Sequence, residues 1–251
     1  METVLKTNKL CKTFSNEGLQ QHVLKNLDVE LYKGDFTVIM GSSGAGKTTL
    51  LYALSGMDKP TLGEIWFKGE KISGYSSDRL AVFRRANCGF VFQQIYLIDK
   101  MSVMDNVLIS GLLTGQNRTT VIQNAERLFT QVNIDAAAQR KFPSQLSGGE
   151  QQRAAVVRGL INQPEILFAD EPTGALNSNN SSAVLDVLSA FNQAGQTIVM
   201  VTHDIKSALR GNRIIYLNDG VVCGECRLSR YAEEDSERRG KLEAFLEDLR
   251  W

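Results

Sequence analysis

One octapeptide, Gly41-Ser42-Ser43-Gly44-Ala45-Gly46-Lys47-Thr48, constrains this chain more than any other stretch. It fits G-x-x-x-x-G-K-[S/T], the phosphate-binding loop. The residues before it, Phe36-Thr37-Val38-Ile39-Met40, read as a short buried strand, and residues 49–54 read as the start of a helix. That strand-to-helix context is what the motif requires. Glycines let the backbone wrap closely enough for successive N–H groups to point at phosphate oxygens. The new helix aims its positive end at the same anion. In this motif Lys47 reaches the β- and γ-phosphates of a nucleotide, and the Thr48 hydroxyl ligates Mg²⁺.

Around that unit the chain alternates strand and helix signals. Residues 3–14 read as a strand leading to Phe14, residues 15–21 as a polar loop, and residues 22–32 as a half-exposed strand. A turn at residues 33–35 enters the buried strand 36–40. Another turn at residues 60–63 precedes a strand at 64–69. Ser76-Ser77-Asp78 caps a helix carrying Leu80, Val82 and Phe83, and Cys88-Gly89-Phe90-Val91-Phe92 is an apolar strand ending at Gln93-Gln94. From about 101 to 160 the periodicity is helical and reads as an inserted subdomain. Beyond it come a strand at 165–169, a helix at 182–191, a strand at 197–201 and a short helix at 205–209. This is the alternation of an α/β fold with a parallel sheet. Asn218-Asp219-Gly220 turns a hairpin. Charged residues 233–241 then separate residues 1–230 from a last amphipathic helix, apolar at Leu242, Phe245, Leu246 and Leu249.

Charge and composition narrow the class. Twenty-eight basic and 28 acidic residues cancel, so no global field favours nucleic acid. No apolar run approaches the ~18 residues of a membrane-spanning helix, and Met1-Glu2-Thr3-Val4-Leu5-Lys6 lacks the apolar core of a signal peptide. Four cysteines do not suggest a disulfide scaffold, and Cys223-Gly224-Glu225-Cys226 offers two ligands where structural zinc needs four. They read as strand cysteines.

Two further stretches carry chemistry. Ile166-Leu167-Phe168-Ala169-Asp170-Glu171-Pro172 is a buried strand with two carboxylates at its C-terminal end, the edge at which parallel sheets bind ligands. Asp170 suits Mg²⁺, a hard cation that takes oxygen ligands, and Glu171 suits the base that orients and deprotonates an attacking water. Leu146-Ser147-Gly148-Gly149-Glu150-Gln151-Gln152-Arg153 is a second glycine-rich helix start, with Ser147 as its cap. One nucleotide site in one chain does not require a second phosphate-binding helix tip.

The three stretches together, in this order, resemble the ATP-binding-cassette ATPases. That family is an α/β phosphate-loop fold with an antiparallel β-subdomain and an inserted helical subdomain. The resemblance covers nearly the whole chain. It implies a head-to-tail homodimer, in which Lys47, Thr48 and Asp170 of one copy face Ser147 and Gly149 of the other across each ATP. It assigns Phe14, Gly41, Ser42, Ser43, Gly44, Ala45, Gly46, Lys47, Thr48, Thr49, Ser147, Gly148, Gly149 and Glu150 to ATP. It assigns Thr48, Gln93 and Asp170 to Mg²⁺, and Glu171, His203 and Gln93 to catalysis. Phe14 looks like the aromatic that stacks on adenine, and His203 in Val201-Thr202-His203-Asp204 like the histidine that contacts the γ-phosphate. Tyr96, Leu97, Ile98 and Met101 suit either the core or a groove that receives a permease helix.

Within the family, Phe90-Val91-Phe92-Gln93 and Ala169-Asp170-Glu171-Pro172-Thr173-Gly174 look most like the macrolide-export, lipoprotein-release and bacitracin-resistance class. The C-terminal helix looks most like the antimicrobial-peptide branch. The resemblance implies an ATPase on the cytoplasmic face of the membrane, peripheral, driving a separate permease and no nucleic acid. The competing expectations are a regulatory cassette that signals across the membrane without moving cargo, a soluble cassette in DNA repair or translation, and a small-molecule kinase with the same loop, which would not need residues 146–153. There are two departures from the family pattern. Asn177 stands where an aspartate is usual, which bears on coupling across the dimer. Glu150 stands where a glutamine is more common and brings a carboxylate toward the phosphates.

Overall fold

The computed structural model describes residues 1–16, 19–232 and 235–249. Two sheets organise it. The larger is six-stranded, in the order β11-β10-β4-β9-β8-β7. Its parallel part comprises β10 (Arg213–Asn218), β4 (Phe36–Met40), β9 (Thr197–Thr202), β8 (Ile166–Asp170) and β7 (Cys88–Phe92), and β11 (Val221–Arg227) closes it antiparallel. The smaller sheet is antiparallel: β2 (Leu19–Leu27), β1 (Thr3–Asn16), β5 (Leu62–Phe67) and β6 (Glu70–Lys71), with β3 (Glu30–Tyr32) also on β1.

The parallel strands are apolar on both faces because both faces are covered. Alternate residues go to different cores, as a period of two dictates. Phe36, Val38, Met40, Leu167, Ala169, Ile198 and Met200 join the core shared with the helices. Ile39, Ile166, Phe168, Val199 and Val201 join the core shared with α1 (Lys47–Leu54) and the antiparallel sheet. Between β7 and β8 the chain builds a helical layer of α3 (Val103–Leu112), α4 (Arg118–Gln131), α5 (Ala136–Gln139) and α6 (Gly148–Leu160). The remaining helices are α2 (Ser77–Asn87), α7 (Ser178–Gln193), α8 (Ile205–Ala208) and α9 (Ser236–Asp248).

Several local expectations shift. Of the polar stretch expected as a loop at 15–21, residues 15–16 and 19–21 are paired strand, with Phe14 opposite Gln21 and Asn16 opposite Leu19, and residues 17 and 18 lie outside the described residues. The strand expected at 22–32 breaks into β2 and β3. The α7 helix starts at Ser178 rather than 182 because the Asn177 side chain accepts from the Asn180 N–H and caps it. The last helix starts at Ser236, inside the charged run, capped by Asp235. Its Leu242 and Leu246 lie in the helix-side core, with Phe245 and Leu249 packed against it. Of the expected separating stretch, residues 233 and 234 lie outside the described residues.

Candidate functional site

Strand register assembles the site. Met40 pairs with Thr202, Val201 with Asp170, and Asp170 with Phe92. The next residues along β4, β9, β8 and β7 are Gly41, His203, Glu171 and Gln93. Four residues far apart in sequence thus emerge side by side at the C-terminal edge of one parallel sheet, the edge where such sheets take ligands.

The octapeptide wraps that edge. Gly46 adopts a left-handed conformation (φ 100°) at the N-cap of α1 and provides no side-chain cap. Every other α-helix among the described residues has a capping side chain. The backbone N–H groups of Gly44 and of residues 46–49 donate to no acceptor among the described residues. Left unpaired, these donors and the helix dipole form a receptor for an anion. A hairpin supports the loop from below: Gly220, in the Asp219-Gly220 turn between β10 and β11, donates its N–H to the Ala45 carbonyl at 3.1 Å.

Lys47 is buried, with its ammonium donating to the carbonyls of Gly41 (2.9 Å) and Ser42 (2.8 Å). Burial pulls its pKa down, opposed by the nearby Glu171 and Asp170 carboxylates. A cation held only by carbonyl dipoles is primed for a polyanion. The Thr48 hydroxyl donates to Asp170 Oδ1 at 2.9 Å. Burial pushes the Asp170 carboxyl above its usual range despite that bond. A hydroxyl and a desolvated carboxylate converging at one point are the oxygen donors that suit Mg²⁺, with phosphate and water completing the shell. Among the described residues, no group of three or more His, Cys, Asp or Glu is placed to hold a metal ion.

Glu171 has a left-handed backbone (φ 43°), uncommon for a residue other than glycine, and donates its N–H to the Val201 carbonyl. Its Oε1 lies 3.0 Å from His203 Nδ1. Both line a cleft of about 570 Å³ together with Ser43, Gly44, Gly46, Lys47, Thr48 and Thr49. Gln21 and Val23 of β2 complete the wall. Nothing in the sequence marks these two: Gln21 lies in the stretch read as a polar loop, and Val23 in a strand whose pairing with β1 has no local signature. Phe14 is 44% exposed, sits opposite Gln21, and carries the Lys12 ammonium 4.9 Å from its ring centroid. Gln93 is exposed and packs on Gly174, where an added Cβ would sit 2.8 Å from its Nε2. It stands beside the Glu171 loop rather than in the cleft lining.

The glycine pair lies elsewhere. Ser147 caps α6, and neither it nor Gly148, Gly149 or Glu150 lines the cleft. Gly149 abuts Asn180 of α7 so closely that a Cβ would fall 2.7 Å from its side chain, and Gly148 faces Leu176. One chain therefore presents a phosphate loop and a second helix tip that do not meet within it.

A second cleft, also about 570 Å³, is lined by Met57, Phe92, Tyr96 and Leu113 with Arg84, Arg85 and Arg158, and by no carboxylate. Tyr96 is 64% exposed and Ile98 50%, whereas Leu97 packs on the core. Cys223 is exposed and Cys226 buried, and all four cysteines are free.

Residues 24–174 match the family model described as ABC transporter. The chain is 38% identical over 219 residues to an uncharacterized ABC transporter ATP-binding protein, MJ1508, of Methanocaldococcus jannaschii, covering 87% of this chain and 97% of that one. It is 35% identical over 222 residues to the lipoprotein-releasing system ATP-binding protein LolD of Idiomarina loihiensis, covering 88% and 97%. It is 37% identical over 224 residues to the macrolide export ATP-binding/permease protein MacB of Pasteurella multocida, covering 89% of this chain but only 34% of that longer protein. Among solved structures, the ATP-binding cassette MJ0796, in a dimeric post-hydrolysis state bound to ADP and Pi, superposes with a TM-score of 0.82 at 36% identity, covering 90% of this chain and all of that one. Motif order, sheet-edge geometry and similarity agree: the chain belongs to the ABC transporter family, as an ATP-hydrolysing subunit coupled to transport.

Proposed function

We propose that two copies of this chain close head to tail around two ATP molecules and drive a separate permease at the cytoplasmic face of the membrane. The supporting observation is the split site. The uncapped α1 and the Glu171–His203 pair line one cleft, while the Ser147 tip lies outside it. Two half-sites that each carry only part of the donor set close around a polyanion, and hydrolysis then releases them.

The amides of Gly44 and residues 46–49 hold the phosphates, with Lys47 leaving its loop carbonyls for the β- and γ-oxygens. Phe14 stacks on adenine. Thr48 and Asp170, with Gln93 from the end of β7, would hold Mg²⁺, which would neutralise phosphate charge. Glu171 orients and deprotonates the attacking water, and His203 donates a hydrogen bond to the γ-phosphate. Ser147, Gly148 and Gly149 reach the same phosphate from the partner copy. The arginine-lined apolar cleft beside the Gln93 segment receives a permease helix, which suits its exposed Tyr96. Residues 1–230 form the cassette and residues 231–251 its C-terminal extension.

Similarity to a macrolide export ATP-binding/permease protein and a lipoprotein-releasing system subunit supports work with a permease; in this reading the permease has few membrane helices and serves antimicrobial peptide resistance or export. Lys47→Ala tests the nucleotide site: ATP binding by calorimetry is lost, whereas unchanged affinity contradicts the loop assignment. Purification of the tagged chain from membranes tests the partner: a permease co-purifies, and moves peptide in reconstituted vesicles only with hydrolysable ATP.

A further inference from the structure

The Ser147 hydroxyl has one proton to give. It is already given: Ser147 Oγ donates to Glu150 Oε2 at 2.7 Å. The same carboxylate oxygen accepts the Ser147 backbone N–H at 2.8 Å, and Ser147 Oγ accepts the Glu150 N–H at 3.3 Å. The capping box is closed on itself, with Glu150 half-buried and Ser147 exposed. Those two bonds from Ser147, with Arg153 and Lys141 nearby, hold the Glu150 carboxyl below its ordinary range, so it stays an anion. Of the donors at this tip, only the Gly148 and Gly149 N–H groups donate to no acceptor among the described residues.

Resting on the proposed head-to-tail closure, we infer that Glu150 sets the threshold for it. Its carboxylate competes with the γ-phosphate of the partner copy's ATP for the Ser147 proton. Closure therefore breaks one charge-assisted hydrogen bond to make another, and brings a carboxylate toward a polyanion. A glutamine at this position would still cap the helix, because Gln serves in a capping box as Glu does. It would hold the hydroxyl with a neutral acceptor and release it more readily. Glu150 is thus a positioning residue acting through Ser147, and it favours the open pair.

The experiment compares full-length hydrolysis-dead chains, Glu171→Gln alone and with Glu150→Gln, by sedimentation velocity across an ATP series with Mg²⁺. The double variant should close at an ATP concentration lower on the order of tenfold, the scale of one charge-assisted bond. ATP affinity of the monomer, measured at concentrations too dilute for pairing, should not move. Adding Ser147→Ala to both chains separates the proton from the charge. If Glu150 acts through the hydroxyl, its replacement no longer helps once the hydroxyl is gone. Equal closure with and without Glu150→Gln overturns the inference. So does an advantage that survives Ser147→Ala, which would assign the effect to charge repulsion alone. If Glu171→Gln itself never pairs, the head-to-tail reading fails and takes this one with it.

Discussion

At the scale of single residues, the site holds its charges at a cost that the fold bears. Burial raises the Asp170 carboxyl above its usual range. A carboxyl raised in the folded state binds more protons folded than unfolded, so its ionisation weakens the fold as pH rises through the window above the ordinary carboxylate value. Asp170→Asn removes that ionisation. The variant should melt higher than the parent at pH 7, by at most about 4 °C for a chain of this size. The gap should narrow as pH falls and Asp170 protonates in the parent, while Mg²⁺-dependent turnover is lost. A melting temperature that drops at pH 7 would show that the Thr48–Asp170 bond outweighs desolvation. Functional residues at one sheet edge commonly trade stability for activity in this way.

At the scale of elements, the phosphate loop is shaped by what lies under it. The Gly220 N–H meets the Ala45 carbonyl, while the Gly220 carbonyl accepts from Lys25 N–H at 2.8 Å. Gly220 has φ 77°, and a Cβ there would fall 2.2 Å from the Val23 carbonyl oxygen. Gly220→Ala must therefore displace β2, the hairpin or both. It should weaken ATP binding although it touches no nucleotide, and destabilise the fold by about 1–3 kcal/mol. Isothermal titration and chemical denaturation read the two effects, and unchanged affinity would remove the hairpin from its supporting role.

Legibility also belongs at this scale. The strands β4, β7, β8 and β9 were readable to within a residue because a strand buried on both faces is an unbroken apolar run bounded by turns. The start of α1 was less clear, since Gly46 caps it by backbone conformation alone. Residues 15–16 and 19–21 misled because exposed polar strand ends have no apolar alternation to show. Asn177 was legible as a substitution of charge but not as the cap of α7, which only the Asn180 bond reveals. Gln21 and Val23 enter the cleft through pairing with β1, a long-range fact with no local signature. Conversely, the loop, the Asp170–Glu171 pair and His203 were visible because chemistry fixed their residue types, and register then brought them together.

At the scale of the whole molecule, the C-terminal helix is part of the fold's closure. Leu242 is fully buried and Leu246 nearly so. Arg238 of α9 is buried and donates to the carbonyls of Leu209 and Gly211, both at 2.7 Å, just past α8 and the His203 turn. Leu242→Ala should cost about 2–5 kcal/mol, as for other buried leucines, and lower the melting temperature accordingly. A change near zero would mean that α9 is dispensable to the core.

The same scale holds the central claim, that the working unit is a pair closed on ATP. Glu171→Gln removes the proposed base and leaves the amide donors of the loop in place. Sedimentation velocity of that variant with Mg²⁺ and ATP, its membrane partner present, should show two copies locked together that separate with ADP. A species whose cassettes stay apart at saturating ATP would contradict the account.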